Sequence, residues 1–435
     1  MDLNKIIDIT KGKCLNQFKN NKINKIVTDT RKLKKNDLFI ALKGKKYNGH
    51  DYIKNIKKAS GIIIDEDIEI KTKIPVIKVE STYKVLFDLG SFFRNKYNIP
   101  LIAITGSNGK TTTKELISYI LESKYKILKN NESKNNIIGV SDTLFHLNDN
   151  YEIIVMEMGM NHKNEISDLS KMCKPNIGII TNIGSSHIGL LKNRRNIFKA
   201  KLEIKDGLDG ELIVNGDDKY LKRIKKCYKC GRNYYNDLIA YNIYSNNELL
   251  EFSIYLDKEY RIIFNNPGIH FINDILMAIK VCLMYDIDIN TIIDRINKFK
   301  MVDKRMNIKK YKDITIIDDC YNASYESVKG GLEVLKNIKQ DKIIILGDML
   351  ELGRYSRKYH FKLNFILNKI DNKEVLTVGN YSKYIKSKHF SNNNDLIEYL
   401  KNKKINNKYI YIKGSRGMHL EEIKYYIEHY IGITK

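Results

Sequence analysis

Gly106, Ser107, Asn108, Gly109, Lys110, Thr111 and Thr112 stand together in the stretch PLIAITGSNGKTTTKELI, and their order suits a nucleoside triphosphate. The small residues leave backbone N–H groups bare for phosphate oxygens. Lys110 adds a point charge for the outer phosphates, and the Thr111 hydroxyl can ligate Mg²⁺. The match to the Walker A pattern is incomplete, because Ile104 stands where its first glycine would be. Glu157, in YEIIVMEMGMNHKNEI, is a carboxylate of the kind that holds Mg²⁺ directly or through water. Asn182 and His187 follow in TNIGSSHIGL, and Asn273 in NNPGIHFINDILMAI could face an adenine or cap a helix. Three polar clusters occupy the last third: Asp318 with Asp319, Asp348 with Glu351, and Lys413 with Ser415 and Arg416. Near the start, Asp29, Thr30 and Arg31 suit a pyrophosphate or uracil, and could equally form a solvated loop.

Such groups act only if regular elements hold them. The apolar run at 101–104 predicts a buried strand. Residues 106–109 break it, and a helix follows with Leu116, Ile117 and Ile120 on one side. Strand, turn and helix start form an anion site, since unpaired N–H groups and the helix dipole both favour negative charge. Runs at 153–156, 177–180 and 212–214 repeat the pattern with helical segments between them. That alternation predicts a mainly parallel sheet with ligands at the carboxyl ends of its strands, where Glu157, Asn182 and His187 fall. After about 306, DITIIDDCYNAS, KIIILGDMLELG and YIYIKGSRGMHLEEIKYYI predict a smaller dinucleotide-fold sheet. Before 99, residues 82–97 read as a helix with Val85, Leu86, Leu89 and Phe93 on one face, stopped by Pro100. Residues 37–42 read as alternating apolar and polar, with turns at Gly44 and Asn48-Gly49. The expected fold class is α/β in three domains: a small α/β domain at 1–98, a central parallel-sheet nucleotide domain at 99–305 and a Rossmann-like domain at 306–435.

A chain of 435 residues with 43% hydrophobic content has ample core, and its formal charge of +25 invites a nucleic-acid reading. The lysines are spread evenly among Asn, Ile and Tyr, all encoded by A/T-rich codons, so genome bias accounts for the excess. No nucleic-acid partner is expected. No apolar run has the length of a signal-peptide core or membrane span, which predicts a cytoplasmic protein. Cys227 and Cys230 are close, yet no second pair completes a zinc site, so all six cysteines are expected as free thiols.

Together these segments resemble the Mur ligase superfamily, the ATP-dependent amide ligases of peptidoglycan precursor synthesis. The resemblance runs the whole length, through DTRKLKKNDLFIALKGKKYNGHDYI, TGSNGKTT, MEMGMNHKNEI, TNIGSSHIG, AKLEI, GIHFIND, IIDDCYNAS, LGDMLELG and KGSRGMHLE. LGDMLELG, and MEMGMN with the KGSR loop, look specific to the branch that adds D-Ala-D-Ala to UDP-MurNAc-tripeptide. The DNPR motif of the branch adding the third amino acid is missing from this sequence. The resemblance implies ATP and two Mg²⁺ ions, with phosphorylation of the tripeptide carboxylate before the dipeptide amine attacks. It implies that Thr111 and Glu157 hold one metal and His187 helps with the second. Lys201, in FKAKLEI, matches a lysine that is carbamylated in the superfamily, giving Mg²⁺ an oxygen ligand. Lys110, Lys201 and His187 are thereby the implied catalytic residues. Asn273 would contact adenine, and Arg305 and Asp319 would engage phosphate and ribose. The NGHD turn with Asp29, Thr30 and Arg31 would receive the UDP end; Asn135 and Asn136 belong to the substrate side. Lys413, Ser415 and Arg416 would lie towards the incoming dipeptide. A monomer is expected.

Departures fall in loops. Tyr325 follows YNAS where relatives usually have proline, Asn36 replaces the usual glycine before DLF, and Ser133 stands where asparagine is common. Two rivals differ in identifiable ways. A folate-polyglutamate ligase would lack the first domain and LGDMLELG, and a nucleic-acid motor would need no active-site set spread over three domains.

Overall fold

The computed structural model describes residues 1–430 apart from 18, 20, 21, 70, 313 and 404. Asp313, the start of the strand expected to open the third domain, and residues 431–435, its expected end, lie outside the described residues.

The first sheet orders its strands Lys13–Cys14, Val76–Lys78, Gly61–Ile64, Leu38–Ile40 and Ile26–Val27. Only the first pairing is antiparallel. The alternation expected at 37–42 is replaced by three successive buried residues. Leu38 and Ile40 enter one apolar cluster and Phe39 another, on the opposite face. A parallel strand covered on both sides carries no period-two signal, which explains the difference. Helix Thr82–Lys96 closes this unit, capped by the Ser81 side chain and burying Val85, Leu86 and Leu89.

The central sheet has seven strands, all parallel. Leu101–Thr105 lies between Ile153–Glu157 and Ile177–Ile180. From that strand the chain runs to the edge strand Ile127–Lys129, returns to fill in Ile153–Glu157, and then builds outward on the other side, making a switch point at its carboxyl end. The expectation of strand-helix alternation missed an antiparallel meander, Tyr241–Ser245, Leu250–Tyr255 and Glu259–Phe264. Its signal was present in the alternation of Leu250, Phe252 and Ile254 with Glu251 and Ser253.

The last sheet runs Asn307–Lys310, Ile314–Asp318, Lys408–Lys413, Asp341–Gly347, Lys373–Val378 and Lys388–Phe390, with the first strand antiparallel. One face, through Val328, Leu332, Leu335 and Ile344, joins the apolar core of the central unit. The other face has its own cluster around Ile343, Ile345, Ile410 and Ile412. Along the seam, turn Leu350–Tyr355 lies on helix Ile188–Leu191 so closely that a Cβ on Gly353 would sit 2.9 Å from Gly189 Cα. The two units therefore share one cleft. Among the described residues no helix is long and apolar enough to cross a membrane, and the six cysteines are unpaired.

Candidate active site

The cleft between central and C-terminal units has a volume of about 610 Å³. Its floor is the loop after Leu101–Thr105. Helix Lys110–Leu121 starts at Gly109 without a side-chain cap, leaving its first N–H groups for a ligand. The loop packs down on the next strand so tightly that a Cβ on Gly106 would lie 1.8 Å from Thr181 Oγ1. Lys110 curls back over it, donating from Nζ to the Gly106 carbonyl at 3.0 Å. Thr111 Oγ1 donates to Glu157 Oε2 at 2.7 Å, and Asn135 Nδ2 donates to Glu157 Oε1 at 2.8 Å. Asn130 holds the Glu157 backbone through both its N–H and its carbonyl, at 2.8 and 2.9 Å. Burial opposes charge on Glu157, but Lys110 and these two donors outweigh it and keep the carboxyl below its usual range.

A second loop packs against the first. Ser107 N–H donates to the Asn182 carbonyl at 3.0 Å and Asn108 N–H to Asn182 Oδ1 at 3.0 Å. His187, at φ +61°, lies 3.5 Å from Glu351, whose carboxylate also accepts its backbone N–H. Burial pushes the His187 imidazole down to about 4; Glu351 opposes this, while Lys201 and Lys110 add to it. Lys201 is only 1% exposed, on helix Arg194–Leu202. Burial and the neighbouring Lys110 hold its amine well below the usual lysine range, against Glu351 and Glu157.

Of the residues singled out in the sequence, Ser107 to Thr112, Asn135, Asn136, Glu157, His187, Asn273, Arg305, Asp319, Lys413, Ser415 and Arg416 line this cleft. Their present partners differ. Lys413 Nζ is 2.7 Å from Asp319, whose carboxylate also accepts from Tyr411. Ser415 Oγ accepts from Leu350 N–H at 2.9 Å, and Arg305 lies 4.1 Å over the Tyr321 ring. Asn136 caps helix Ile137–Leu144. Asn273 caps nothing: it is the second residue of helix Ile272–Met284, and its Oδ1 is buried without a partner among the described residues. Asp29, Thr30 and Arg31 lie in the first unit, outside the cleft lining, with Asp29 capping turn Thr30–Lys32 and pairing with Arg31 at 2.9 Å. Two of the acids beyond strands hold the fold instead. Asp318 pairs with Lys424 at 2.7 Å, and Asp348 accepts the N–H groups of Asn380, Tyr381 and Ser382.

One cleft residue escaped the sequence reading. Asp274 is 5% exposed, and a Cβ on Gly109 would meet its Oδ1 at 2.5 Å. A carboxyl inside the apolar run of helix Ile272–Met284 was the available signal. Burial raises it well above the usual range, so it is protonated where an ordinary aspartate is charged. A raised folded-state pKa means the folded chain binds more protons, and stability falls as pH climbs from about 4 through the folded value. Asp274→Asn is therefore expected to stabilise the chain by about 1–3 kcal/mol at pH 9 and by less at pH 5. Denaturant melts at both pH values check this, and equal gains would contradict it.

Three family models match in order: the "Mur ligase family, catalytic domain" over residues 22–93, the "Mur ligase middle domain" over 104–282, and the "Mur ligase, glutamate ligase domain" over 304–416. The UDP-N-acetylmuramoyl-tripeptide–D-alanyl-D-alanine ligase of Bacillus subtilis (strain 168) is 33% identical, covering 96% of each chain. This chain belongs to the Mur ligase family. A crystal structure of MurF from Acinetobacter baumannii matches this Mur ligase with a TM-score of 0.91 at 26% identity, over 97% of both chains. MurF from Thermotoga maritima in complex with ADP shares the fold, with a TM-score of 0.85 at 24% identity over 94% of this chain and 97% of that one. The Mur ligase architecture of three α/β units thus matches 97% of the chain, including the two units that build the cleft.

Proposed function

We propose that this Mur ligase joins D-Ala-D-Ala to UDP-MurNAc-tripeptide in peptidoglycan precursor synthesis, converting ATP to ADP and phosphate. The observation that carries the reading is an uncapped helix start with Lys110 on one wall of a cleft, facing Asp319, Glu351 and Lys413 of another unit on the other. A carboxylate becomes a useful electrophile only when one oxygen is made a leaving group. The tripeptide carboxylate attacks the γ-phosphorus and ADP departs. The dipeptide amine then attacks the acyl carbon, loses a proton and expels phosphate carrying an oxygen from the acid. Crowding two anions together is the main barrier. The helix N–H groups and Lys110 offset it and stabilise charge on the transferred group.

Around that step we assign roles. Gly106 to Thr112 cradle the phosphates, Asn273 faces adenine, and Arg305 and Asp319 engage phosphate and ribose. Asp29, Thr30 and Arg31 receive the UDP end, and Asn135 and Asn136 belong to the substrate side. Lys413, Ser415 and Arg416 stand on the dipeptide side. The oxygen set of Thr111 and Glu157 fits Mg²⁺, with His187 and a carbamylated Lys201 for a second ion. Bound there, Mg²⁺ would supply positive charge against the phosphate oxygens. Action as a monomer in the cytoplasm completes this reading. Oxygen-18 placed in the tripeptide carboxylate is expected in the released phosphate, and release should require both substrates. Unlabelled phosphate would overturn the reading.

A further inference from the structure

Glu326 stands in the first turn of helix Tyr325–Leu335, on the C-terminal unit, yet its carboxylate is spent entirely on the central unit. Oε2 accepts the Ser185 N–H at 2.8 Å and the Ser185 hydroxyl at 2.7 Å. Oε1 pairs with Arg194, the first residue of the helix that carries Lys201. One carboxylate thus grips both the loop leading into His187 and the helix bearing Lys201. The contact continues inward: Gly184 N–H donates to Ser107 Oγ at 2.8 Å, and Ser186 Oγ donates to the Ser107 carbonyl at 3.3 Å. Beside it, Ser324 Oγ donates to Asn108 Oδ1 at 2.7 Å while capping the same helix. The start of this helix therefore touches the phosphate loop directly through Ser324, and through the 184–186 loop by way of Glu326.

We propose that Glu326 is a positioning residue for phosphoryl transfer: with the C-terminal unit docked, it fixes the loop before His187 and the helix of Lys201 against the phosphate loop. This rests on the ligase reading above. Glu326 and Arg194 keep 29% and 35% of their side chains exposed, so their charge attraction is screened and contributes little to stability. Its importance lies in placement. Groups that must meet a transferring phosphoryl lose rate steeply when displaced by a fraction of an ångström to one ångström. Glutamine at 326 can still accept from both Ser185 donors, whereas alanine cannot.

The test is steady-state phosphate release by the full chain with ATP, UDP-MurNAc-tripeptide and D-Ala-D-Ala. Glu326→Ala is expected to lower kcat about 10–100-fold, with the KM for UDP-MurNAc-tripeptide within about twofold. Glu326→Gln should recover most of the loss, to within about fivefold of the parent. Should Glu326→Ala fail to fold, Ser185→Ala removes one donor alone and is expected to cost about 3–10-fold in kcat. An unchanged kcat in the folded alanine variant would overturn the proposal, as would a loss confined to KM or a glutamine variant as slow as alanine. A parent chain that releases no phosphate with both substrates would instead overturn the ligase reading.

Discussion

Lys110→Ala is expected to lower ligation by about 10³-fold or more while UDP-MurNAc-tripeptide still binds within about threefold of the parent. Nζ lies 3.0 Å from the Gly106 carbonyl, so the ammonium is held over the loop before any ligand arrives. Burial pushes its pKa down, yet the carboxylate of Glu157 favours the charged form. Removing it leaves helix N–H groups and their dipole to face the outer phosphates alone. The uridine end has a separate place in our reading, around Asp29 to Arg31 in the first unit. Titration calorimetry with the UDP-linked substrate, beside a coupled assay for ADP, separates the two effects. Loss of binding in step with loss of ligation would mean that the first unit does not hold substrate independently.

Lys201→Met is expected to cost about 10²-fold or more in ligation with little change in melting behaviour. The amine is buried beside Lys110 and held well below its usual range. A neutral amine, unlike an ammonium, can add CO₂ through its lone pair and release a proton. The product is an anion carrying two oxygens, so a cation repelled by Lys110 becomes a partner for it. Methionine keeps the length and apolar stem without that chemistry. Labelled ¹³C-bicarbonate should give a carbamate carbonyl resonance in the parent chain and none in the variant. An active variant, or a parent without the resonance, would remove Lys201 from the site.

Much of this arrangement was legible in the residues. The 101–104 run, bounded by Pro100 and Gly106, could only be a short buried strand, and Lys110 could only open the helix behind it. Strand ends then located Glu157 and His187. What stayed hidden depends on contacts far apart in the chain. Ser185 and Glu326 are 141 residues apart, and no local pattern joins them. The same holds for Asp319 and Lys413, whose pairing requires two strands of the last sheet to lie side by side. Asp274 was hidden differently: its carboxyl in an apolar run was a signal, but its neighbour Asn273 is the more familiar base-binding type and drew the reading.

The backbone-to-backbone meeting of Gly189 and Gly353 bears on how the enzyme can admit and release its reactants. A joint filled with interlocked side chains must be unpacked before it swings. Here two bare Cα atoms face each other, so at that one point no side chain interlocks the units, while Val328, Leu332 and Leu335 nearby do join the central apolar core. Opening must also break the links from Ser324, Glu326 and Glu351, which water can replace, and part the shared apolar face, which it cannot. A side chain at either glycine would collide with the facing backbone and press the two units apart.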